Sequence, residues 1–253
     1  MALKHWQLSA PVSAIVFDCD GTLSRIEGID ELAKHNGVSD EVTSLTELAM
    51  GQSGLNEHLY QTRLELVYPT KDQVHALGQQ YADHQVPDVD QVIRIFHRLN
   101  KTIYIVSAGL YPAVKIFGDL LQIPSQRIFA VDIEFDPQGK FVAFDRASPL
   151  VRREGKRTIV SQLKQTHPQL IHVGDGMNDY VAHDLATRFI GYGGAFYREN
   201  IAACCDYYIK SLSLAPLLPL ALTQGEYESL LPPEQLLYQQ GVSAIEDGKV
   251  MLK

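Results

Sequence analysis

Two carboxylates separated by one residue, Asp18 and Asp20, stand in the segment FDCDGT. If the preceding residues form a strand, alternate side chains point to the same side, so both acids share one face. Gly21 would then let the chain turn sharply. Neighbouring carboxylates repel each other, and a hard divalent cation such as Mg²⁺ relieves this through oxygen ligands. One acid, held ionised, could act as a nucleophile, and the other could keep a proton and serve as general acid and base.

The segment GDGMND supplies further acids later in the chain. Asp175 can offer another oxygen ligand to the same cation, and Gly174 and Gly176 leave room for the backbone. Asn178 and Asp179 can orient their neighbours from the first turn of a following helix. Alone, the segment also fits a glycine-rich turn with a helix cap. Its position after a predicted strand favours a role in the same site.

Two other places could hold an anion. Ser107, in VSAG, follows an apolar run, and its hydroxyl with the backbone amides of Ala108 and Gly109 at a helix start would suit a phosphate. Lys156, in REGKRT, is predicted to lie at the start of a helix and could add a positive charge. Each feature alone is commonplace, because Ser-Ala-Gly often caps a helix and most lysines are solvated.

Short apolar runs would position these residues. Three of them end at the acids and the serine, and a weaker fourth precedes Gly191; the three cover residues 13–17, 102–106 and 170–173. Helical patterns lie between them, at residues 89–99, 111–121, 156–165 and 179–187. This alternation predicts an α/β fold with a doubly wound parallel sheet. Ligands of such sheets lie at the carboxyl ends of the strands, so we expect the reactive residues to meet there.

The regular alternation is interrupted. Residues 26–85 are mostly helical in pattern and predict an inserted cap domain, which leaves residues 1–25 and 86–222 as the α/β core. Residues 131–146 flank the turn signal of residues 136–139 with alternating apolar residues, so they predict a small β-hairpin. Residues 223–253 form a polar C-terminal extension of unknown role, with a short helix expected over residues 234–240.

Composition narrows the class of protein. The 253 residues carry a formal net charge of −8, which argues against a nucleic-acid-binding protein, because such proteins need a basic face. Three cysteines form no disulfide framework, so a reducing compartment is expected. The most apolar tract, residues 212–222, is too short to span a bilayer and holds two prolines. We expect no membrane partner and a cytoplasmic location.

Together these motifs have a characteristic order: DxDGT, a serine at a strand end, a lysine at a helix start, and GDGxND. This order resembles the haloacid dehalogenase superfamily of phosphotransferases. The stretch RIEGIDELAKHNGV at residues 25–38, the AMG at residues 49–51 and Arg63 resemble the cap of the phosphoserine phosphatases within it. GYGGAFYREN, at residues 191–200, resembles their closing segment. The resemblance runs from about residue 13 to residue 222 and implies a haloacid dehalogenase-like, Rossmannoid core.

The resemblance implies a role for each residue. Asp18 would be the nucleophile that forms an aspartyl-phosphate, and Asp20 would protonate the leaving oxygen and then activate water. Mg²⁺ would be bound by Asp18, Asp175 and the main-chain carbonyl of Asp20, with Asp179 in support. The phosphoryl oxygens would be held by Ser107, Ala108, Gly109 and Lys156. In the cap, the substrate would contact Glu27 through its ammonium and Arg63 through its carboxylate, with Met50, Gly51 and Asn178 completing the pocket.

The expected function is therefore Mg²⁺-dependent hydrolysis of a small phosphomonoester, phosphoserine in the first place, with a part in serine biosynthesis. One alternative keeps the same first half-reaction but passes the phosphoryl group to an alcohol such as homoserine. Another is a phosphatase of a different amino-acid or amino-alcohol phosphate. A third is a catalytically inactive binding protein on this fold, although every reactive side chain is present. The sequence leaves open whether the protein is a monomer or a homodimer.

Overall fold

The computed structural model describes Lys4, residues 6–50 and residues 55–253, with the side chains of residues 49 and 50 left out. Most strands in this part of the chain are short, apolar and buried, as expected for the interior of an α/β sheet. The strands are β1 (Ala14–Phe17), β2 (Thr102–Leu110), β3 (Ile128–Val131), β4 (Ile133–Phe135), β5 (Phe141–Phe144), β6 (Leu170–Gly174), β7 (Arg188–Tyr192), β8 (Tyr207–Ile209) and β9 (Val250–Leu252).

Seven of these strands form one sheet in the order β3-β2-β1-β6-β7-β8-β9. All neighbours in it are parallel except β9, which pairs antiparallel with β8. The chain winds outward from β1 to one side through β2 and β3 and to the other side through β6, β7 and β8. The strand order therefore reverses between β1 and β6, where ligands bind in doubly wound folds. The predicted fold class is confirmed.

Helices fill the connections between the strands. They are α1 (Gly28–Asn36), α2 (Ser39–Met50), α3 (Glu57–Val67), α4 (Lys71–Asp83), α5 (Val89–Arg98), α6 (Tyr111–Leu120), α7 (Gly155–Thr166), α8 (Met177–Tyr180), α9 (Glu199–Cys204), α10 (Leu217–Ala221), α11 (Gln224–Glu228) and α12 (Pro232–Glu246). Three-residue 3-10 helices lie at Ser125–Arg127, Pro149–Val151 and His183–Leu185. The helix expected over residues 179–187 is thus divided: α8 ends at Tyr180, and a separate short turn follows.

Helices α1 to α4 all lie between β1 and β2, where the inserted block was expected. Gly37 ends α1 in the left-handed conformation, with φ +74°, and a capping box of Thr70 and Gln73 begins α4. The last of these helices packs on the core, because a Cβ at Gly78 would lie 2.6 Å from Cβ of Ile116 in α6. The division into a core, a cap at residues 26–85 and an extension stays a prediction.

The small hairpin is formed by β4 and β5, which pair antiparallel. It is shorter than the expected range of 131–146, because Val131 belongs to β3 of the main sheet. An isolated bridge joins Lys140 to Thr70, and the Phe141 ring meets Tyr68 edge-on at 6.0 Å. The hairpin therefore contacts the segment between α3 and α4.

The C-terminal residues pack onto the core. Lys101 is buried, with 3% of its surface exposed, and its Nζ lies 2.5 Å from Oε1 of Glu226. The guanidinium of Arg98 binds both carboxylate oxygens of Glu234. The helix expected over residues 234–240 is longer in the structure, where α12 covers Pro232–Glu246. None of the helices in the described ranges is both long and apolar enough to cross a membrane.

Candidate active site

The acidic residues lie at the point where the strand order reverses. Asp18 directly follows β1, and Asp175 directly follows the neighbouring β6. The backbone N–H of Asp18 donates to the carbonyl of Val173 at 3.0 Å, which fixes the two strand ends side by side. Gly21 follows in the left-handed region, with φ +68°, and a Cβ there would lie 2.5 Å from Oδ2 of Asp175. The turn after Asp20 therefore requires glycine.

Three buried carboxylates could hold a metal ion. Asp18, Asp175 and Asp179 each offer one oxygen, and these oxygens all lie within 4.8 Å of one another. Among the described residues, Oδ1 of Asp175 has no hydrogen-bonding partner although it is buried. A buried anionic oxygen without a donor is costly, and carboxylate oxygens are the ligands that a hard divalent cation prefers. The residues present therefore fit a divalent cation.

Lys156 provides the positive charge beside this cluster. It is the second residue of α7, as predicted, with only 2% of its surface exposed. Its Nζ lies 2.7 Å from Oδ1 of Asp18 and 2.7 Å from Oδ1 of Asp179. Burial lowers the pKa of Lys156, but the two carboxylates outweigh it and hold the pKa above its usual value. Burial and the charge of Asp179 raise the pKa of Asp18, and Lys156 opposes that rise.

Asp20 has a different environment from Asp18. Its Oδ1 accepts hydrogen bonds from the backbone N–H of Gly28 at 2.6 Å and from the hydroxyl of Tyr81 at 2.7 Å. Its Oδ2 accepts from the Ser107 hydroxyl at 3.3 Å. Burial raises the pKa of Asp20, and the bonds from Gly28 and Tyr81 oppose that rise. Asp20 is thus held by neutral donors and is not one of the three carboxylates that lie within 4.8 Å of one another.

The segment Ser107, Ala108 and Gly109 differs from the expectation. It lies within β2, which continues to Leu110, and α6 begins only at Tyr111. The predicted placement at a helix start is therefore wrong, because pairing of Leu110 with Val131 carries the strand past the serine. The N–H of Gly109 donates to Oγ of Ser107 at 2.9 Å. Ser107 is buried beside Asp20, and Ala108 and Gly109 line the cavity above it.

The cavity also brings the predicted substrate-binding residues to the reactive ones. Its lining includes Asp18, Asp20, Glu27, Arg63, Ala108, Gly109, Lys156 and Asn178. Arg63 is buried to 7% exposure, and its Nη1 donates to Oγ1 of Thr46 at 3.4 Å. Within the described part of the chain, Nε of Arg63 and Oδ1 of Asn178 are buried without a hydrogen-bonding partner. Both residues line the cavity, so their side chains can contact a ligand bound there.

Two residues predicted to line the substrate pocket lie partly or wholly outside the described residues. Met50 is the last residue of α2, and its side chain lies outside the described residues. Gly51 lies outside them altogether. Their assignment to the pocket stays a prediction.

Sequence reasoning missed Arg198. Its Nη2 lies 3.0 Å from Oε1 of Glu27 and 3.0 Å from Oδ2 of Asp175, so it joins the two acids. Burial and the charge of Asp175 raise the pKa of Glu27, and Arg198 opposes that rise. The segment around Arg198 was noted for its resemblance, but a single arginine in a loop has no spacing that reveals a partner 171 positions away.

Sequence reasoning also missed Tyr81. No pattern in α4 distinguishes a tyrosine that packs in the core from one whose hydroxyl reaches Asp20. The one related feature in the sequence is the glycine at position 28, where a Cβ would lie 2.1 Å from the Tyr81 hydroxyl oxygen. A glycine at the first position of a helix is unremarkable by itself, so this pair becomes visible only in three dimensions.

Comparison with known proteins is consistent with this geometry. Residues 12–182 match the model of the haloacid dehalogenase-like hydrolases. The chain is 32% identical over 204 residues to a phosphoserine phosphatase of Bos taurus, covering 80% of this chain and 91% of that protein. It is also 32% identical over 198 residues to the Homo sapiens phosphoserine phosphatase, covering 78% of this chain and 88% of that protein.

Solved structures show the same fold. A phosphoserine phosphohydrolase-like protein from Francisella tularensis superposes with a TM-score of 0.72 at 24% identity, covering 79% of this chain and 96% of that one. A phospho-aspartyl intermediate analogue of a phosphoserine phosphatase superposes with a TM-score of 0.71 at 22% identity, covering 81% and 96%.

Proposed function

Because the chain belongs to the haloacid dehalogenase-like hydrolases, we propose that it hydrolyses phosphoserine to serine and phosphate through a phosphoaspartyl intermediate on Asp18. We infer phosphoserine as the substrate from one cavity, which is lined by the reactive groups and also by two buried side chains of opposite charge, Glu27 and Arg63. A substrate with an ammonium and a carboxylate next to its phosphate matches those opposite charges. The relatives named phosphoserine phosphatase support the same substrate.

In the first half-reaction, the carboxylate of Asp18 attacks phosphorus and the bond from phosphorus to the serine oxygen breaks. Asp20 gives its proton to that oxygen, so serine leaves as a neutral alcohol. In the second half-reaction, the ionised Asp20 takes a proton from water, the water oxygen attacks phosphorus, and the bond from phosphorus to the Asp18 oxygen breaks. Phosphate then leaves, and both aspartates return to their starting states.

Charge neutralisation supports both steps, because phosphoryl transfer depends mostly on positioning and electrostatics. Lys156 lies beside Asp18 and can donate to a phosphoryl oxygen, and the Ser107 hydroxyl can donate to another. Mg²⁺, held by Asp18, Asp175 and the main-chain carbonyl of Asp20 with Asp179 in support, would supply further positive charge to the phosphoryl group. The burial of these residues strengthens each interaction.

The residues on the cap side of the cavity would bind the serine part of the substrate. The guanidinium of Arg63 can bind a carboxylate with two parallel hydrogen bonds, and its Nε has no partner within the described ranges. Glu27 would accept from the ammonium group. Arg198 already binds Oε1 of Glu27, which leaves Oε2 for the substrate.

The direct test is phosphate release from phosphoserine, phosphothreonine, phosphoethanolamine and a sugar phosphate, each with Mg²⁺ and with chelator. We expect Mg²⁺-dependent release that is fastest with phosphoserine and much slower with phosphoethanolamine, which lacks the carboxylate. Equal rates with phosphoserine and phosphoethanolamine would exclude the proposed substrate. A parallel reaction with homoserine separates hydrolysis from transfer, because transfer would form phosphohomoserine at the expense of free phosphate.

A further inference from the structure

The two carboxylate oxygens of Asp20 are not equivalent. Oδ1 accepts two hydrogen bonds, from Gly28 and from Tyr81. Oδ2 has the single contact with the Ser107 hydroxyl at 3.3 Å, and it lies 2.9 Å from where a Cβ would stand at Gly109. Because two donors already point at Oδ1, a proton there would displace one of them. Oδ2, with one long contact, is therefore the oxygen that can meet a substrate, and it faces the expected phosphate-binding segment.

Tyr81 is held firmly in the position that creates this difference. Its side chain is fully buried, and its ring stacks on Phe117 of α6 with centroids 5.9 Å apart and planes 26° apart. The backbone of Gly28 approaches closely enough that any Cβ would collide with the hydroxyl oxygen. The phenol therefore has little freedom to turn away from Asp20.

We propose that Tyr81 is a positioning residue for the acid–base steps, holding Oδ1 of Asp20 so that Oδ2 delivers the proton to the leaving oxygen. This inference rests on the proposed function. The proton passes from Oδ2 to the leaving oxygen as the phosphorus–oxygen bond breaks, and Tyr81 keeps its own proton throughout. The same geometry presents Oδ2 to the attacking water in the second step.

A positioning role of this kind has a specific signature. An alkyl phosphate such as phosphoserine expels a strongly basic alkoxide, so it needs the proton from Asp20. p-Nitrophenyl phosphate expels a stable phenolate that needs almost no protonation. The ratio kcat/KM reports the steps up to the loss of the leaving group, so it is insensitive to hydrolysis of the phosphoenzyme. Loss of positioning should therefore lower kcat/KM for the alkyl substrate alone.

The experiment compares the wild-type protein with Tyr81→Phe, which keeps the ring that stacks on Phe117. Tyr192→Phe is the matched control, because it also removes a buried tyrosine hydroxyl, one that donates to the carbonyl of Leu212 at 2.6 Å. For Tyr81→Phe we expect kcat/KM on phosphoserine to fall about 10-fold to 100-fold, the range for a hydrogen bond to a charged group. On p-nitrophenyl phosphate we expect a change below about twofold, and KM for phosphoserine should stay close to wild type.

Equal losses on the two substrates, or no loss on phosphoserine, would overturn the proposal. The control should keep the wild-type ratio of the two kcat/KM values. If Tyr81→Phe does not fold, Gly28→Ala repeats the test, because a methyl group 2.1 Å from the Tyr81 hydroxyl oxygen forces the Tyr81 and Gly28 donors apart at Oδ1 of Asp20. Selective loss on the alkyl substrate supports the role, and equal loss overturns it.

Failure of the substrate proposal would look different. A wild-type protein that cleaves p-nitrophenyl phosphate but not phosphoserine would refute the substrate. The alkyl and aryl comparison would then use the best alkyl phosphate of the panel, and the role of Tyr81 would be judged on that pair.

Discussion

The Nζ atom of Lys156 lies 2.7 Å from Oδ1 of Asp18, and both groups are almost completely buried. The same ammonium lies 2.7 Å from Asp179, whose Oδ1 is also 3.3 Å from the ring of His172. One cation thus balances two carboxylates in the interior. Coulomb attraction is much stronger there than at the surface, so the lysine should serve stability as well as phosphate binding.

Replacing this lysine should destabilise the fold. We expect Lys156→Met to lower the free energy of unfolding by about 3–5 kcal/mol, because the change leaves buried carboxylates without their partner. Urea unfolding in the presence of chelator measures the effect. Lys164→Met, a replacement on the same helix outside the cluster, is the control. A loss below about 1 kcal/mol would show that the carboxylates do not depend on the lysine.

Removing the proposed nucleophile should stop turnover. We expect Asp18→Asn to lower phosphate release more than about 1,000-fold, because an amide cannot form the phosphoenzyme. Circular dichroism and thermal unfolding should show an intact fold. Asp40→Asn, an exposed residue of α2, controls for the loss of one acidic group. Substantial residual turnover would disprove the nucleophile assignment.

Arg63 should discriminate between substrates. We expect Arg63→Ala to lower kcat/KM for phosphoserine about 10-fold to 100-fold, since a charged hydrogen-bonding pair is lost. On p-nitrophenyl phosphate, which has no carboxylate, the change should be several times smaller. The measurement is steady-state kinetics with both substrates, and Arg94→Ala on exposed α5 surface is the control. Equal losses would remove Arg63 from substrate recognition.

Arg198 and Glu27 should be energetically coupled. A double-mutant cycle with Arg198→Ala and Glu27→Gln, measured by urea unfolding in chelator, should give a coupling free energy of at least about 1 kcal/mol. The reason is that Nη2 of Arg198 contacts the buried Glu27 at 3.0 Å. Additive effects of the two changes would mean that the contact does not stabilise the packing of Arg198 against Glu27, the residue before α1.

The surface ion pair of Arg157 and Asp184 predicts that the stability of the fold depends on pH. The hydrogen bonds from Arg157 hold the pKa of Asp184 at about 2, below the value of about 3.9 in an unfolded chain. Its contribution to stability is therefore present above pH 3.9 and is lost as the pH falls towards 2. We expect Asp184→Asn to lower Tm by about 1–3 °C at pH 6. The difference should shrink between pH 4 and pH 3, and a constant difference would contradict the assignment.

Much of the fold was predictable because local and global preferences agree. The buried apolar runs became β1, β2 and β6, and the helical patterns over residues 89–99 and 111–121 became α5 and α6, each one residue shorter. Asp18 and Asp175 were predictable because each follows a strand, and such sheets bind their ligands at the carboxyl ends of the strands. What sequence could not supply were contacts between distant segments. The bond from Tyr81 to Asp20 spans 61 positions, and it exists only because α4 packs against the core.

The placement of Ser107 shows a second limit. Ser-Ala-Gly is compatible with a helix start, and only the irregular pairing of β2 with β3 determines that the strand continues. The strand β9 is a third case. Three residues near the end of the chain have too little pattern to predict a strand, and pairing with β8 creates it.

That final pairing has a consequence for how the molecule meets other molecules. Without β9, the backbone of β8 would present unpaired N–H and C=O groups that another chain could extend into a continuous aggregate. With it, the sheet ends instead in a strand of three residues flanked by Lys249 and Lys253, both exposed. A strand so short, with a positive charge at each end, is a poor template for a second copy. The C-terminal extension therefore gives the backbone of β8 a partner on both of its edges.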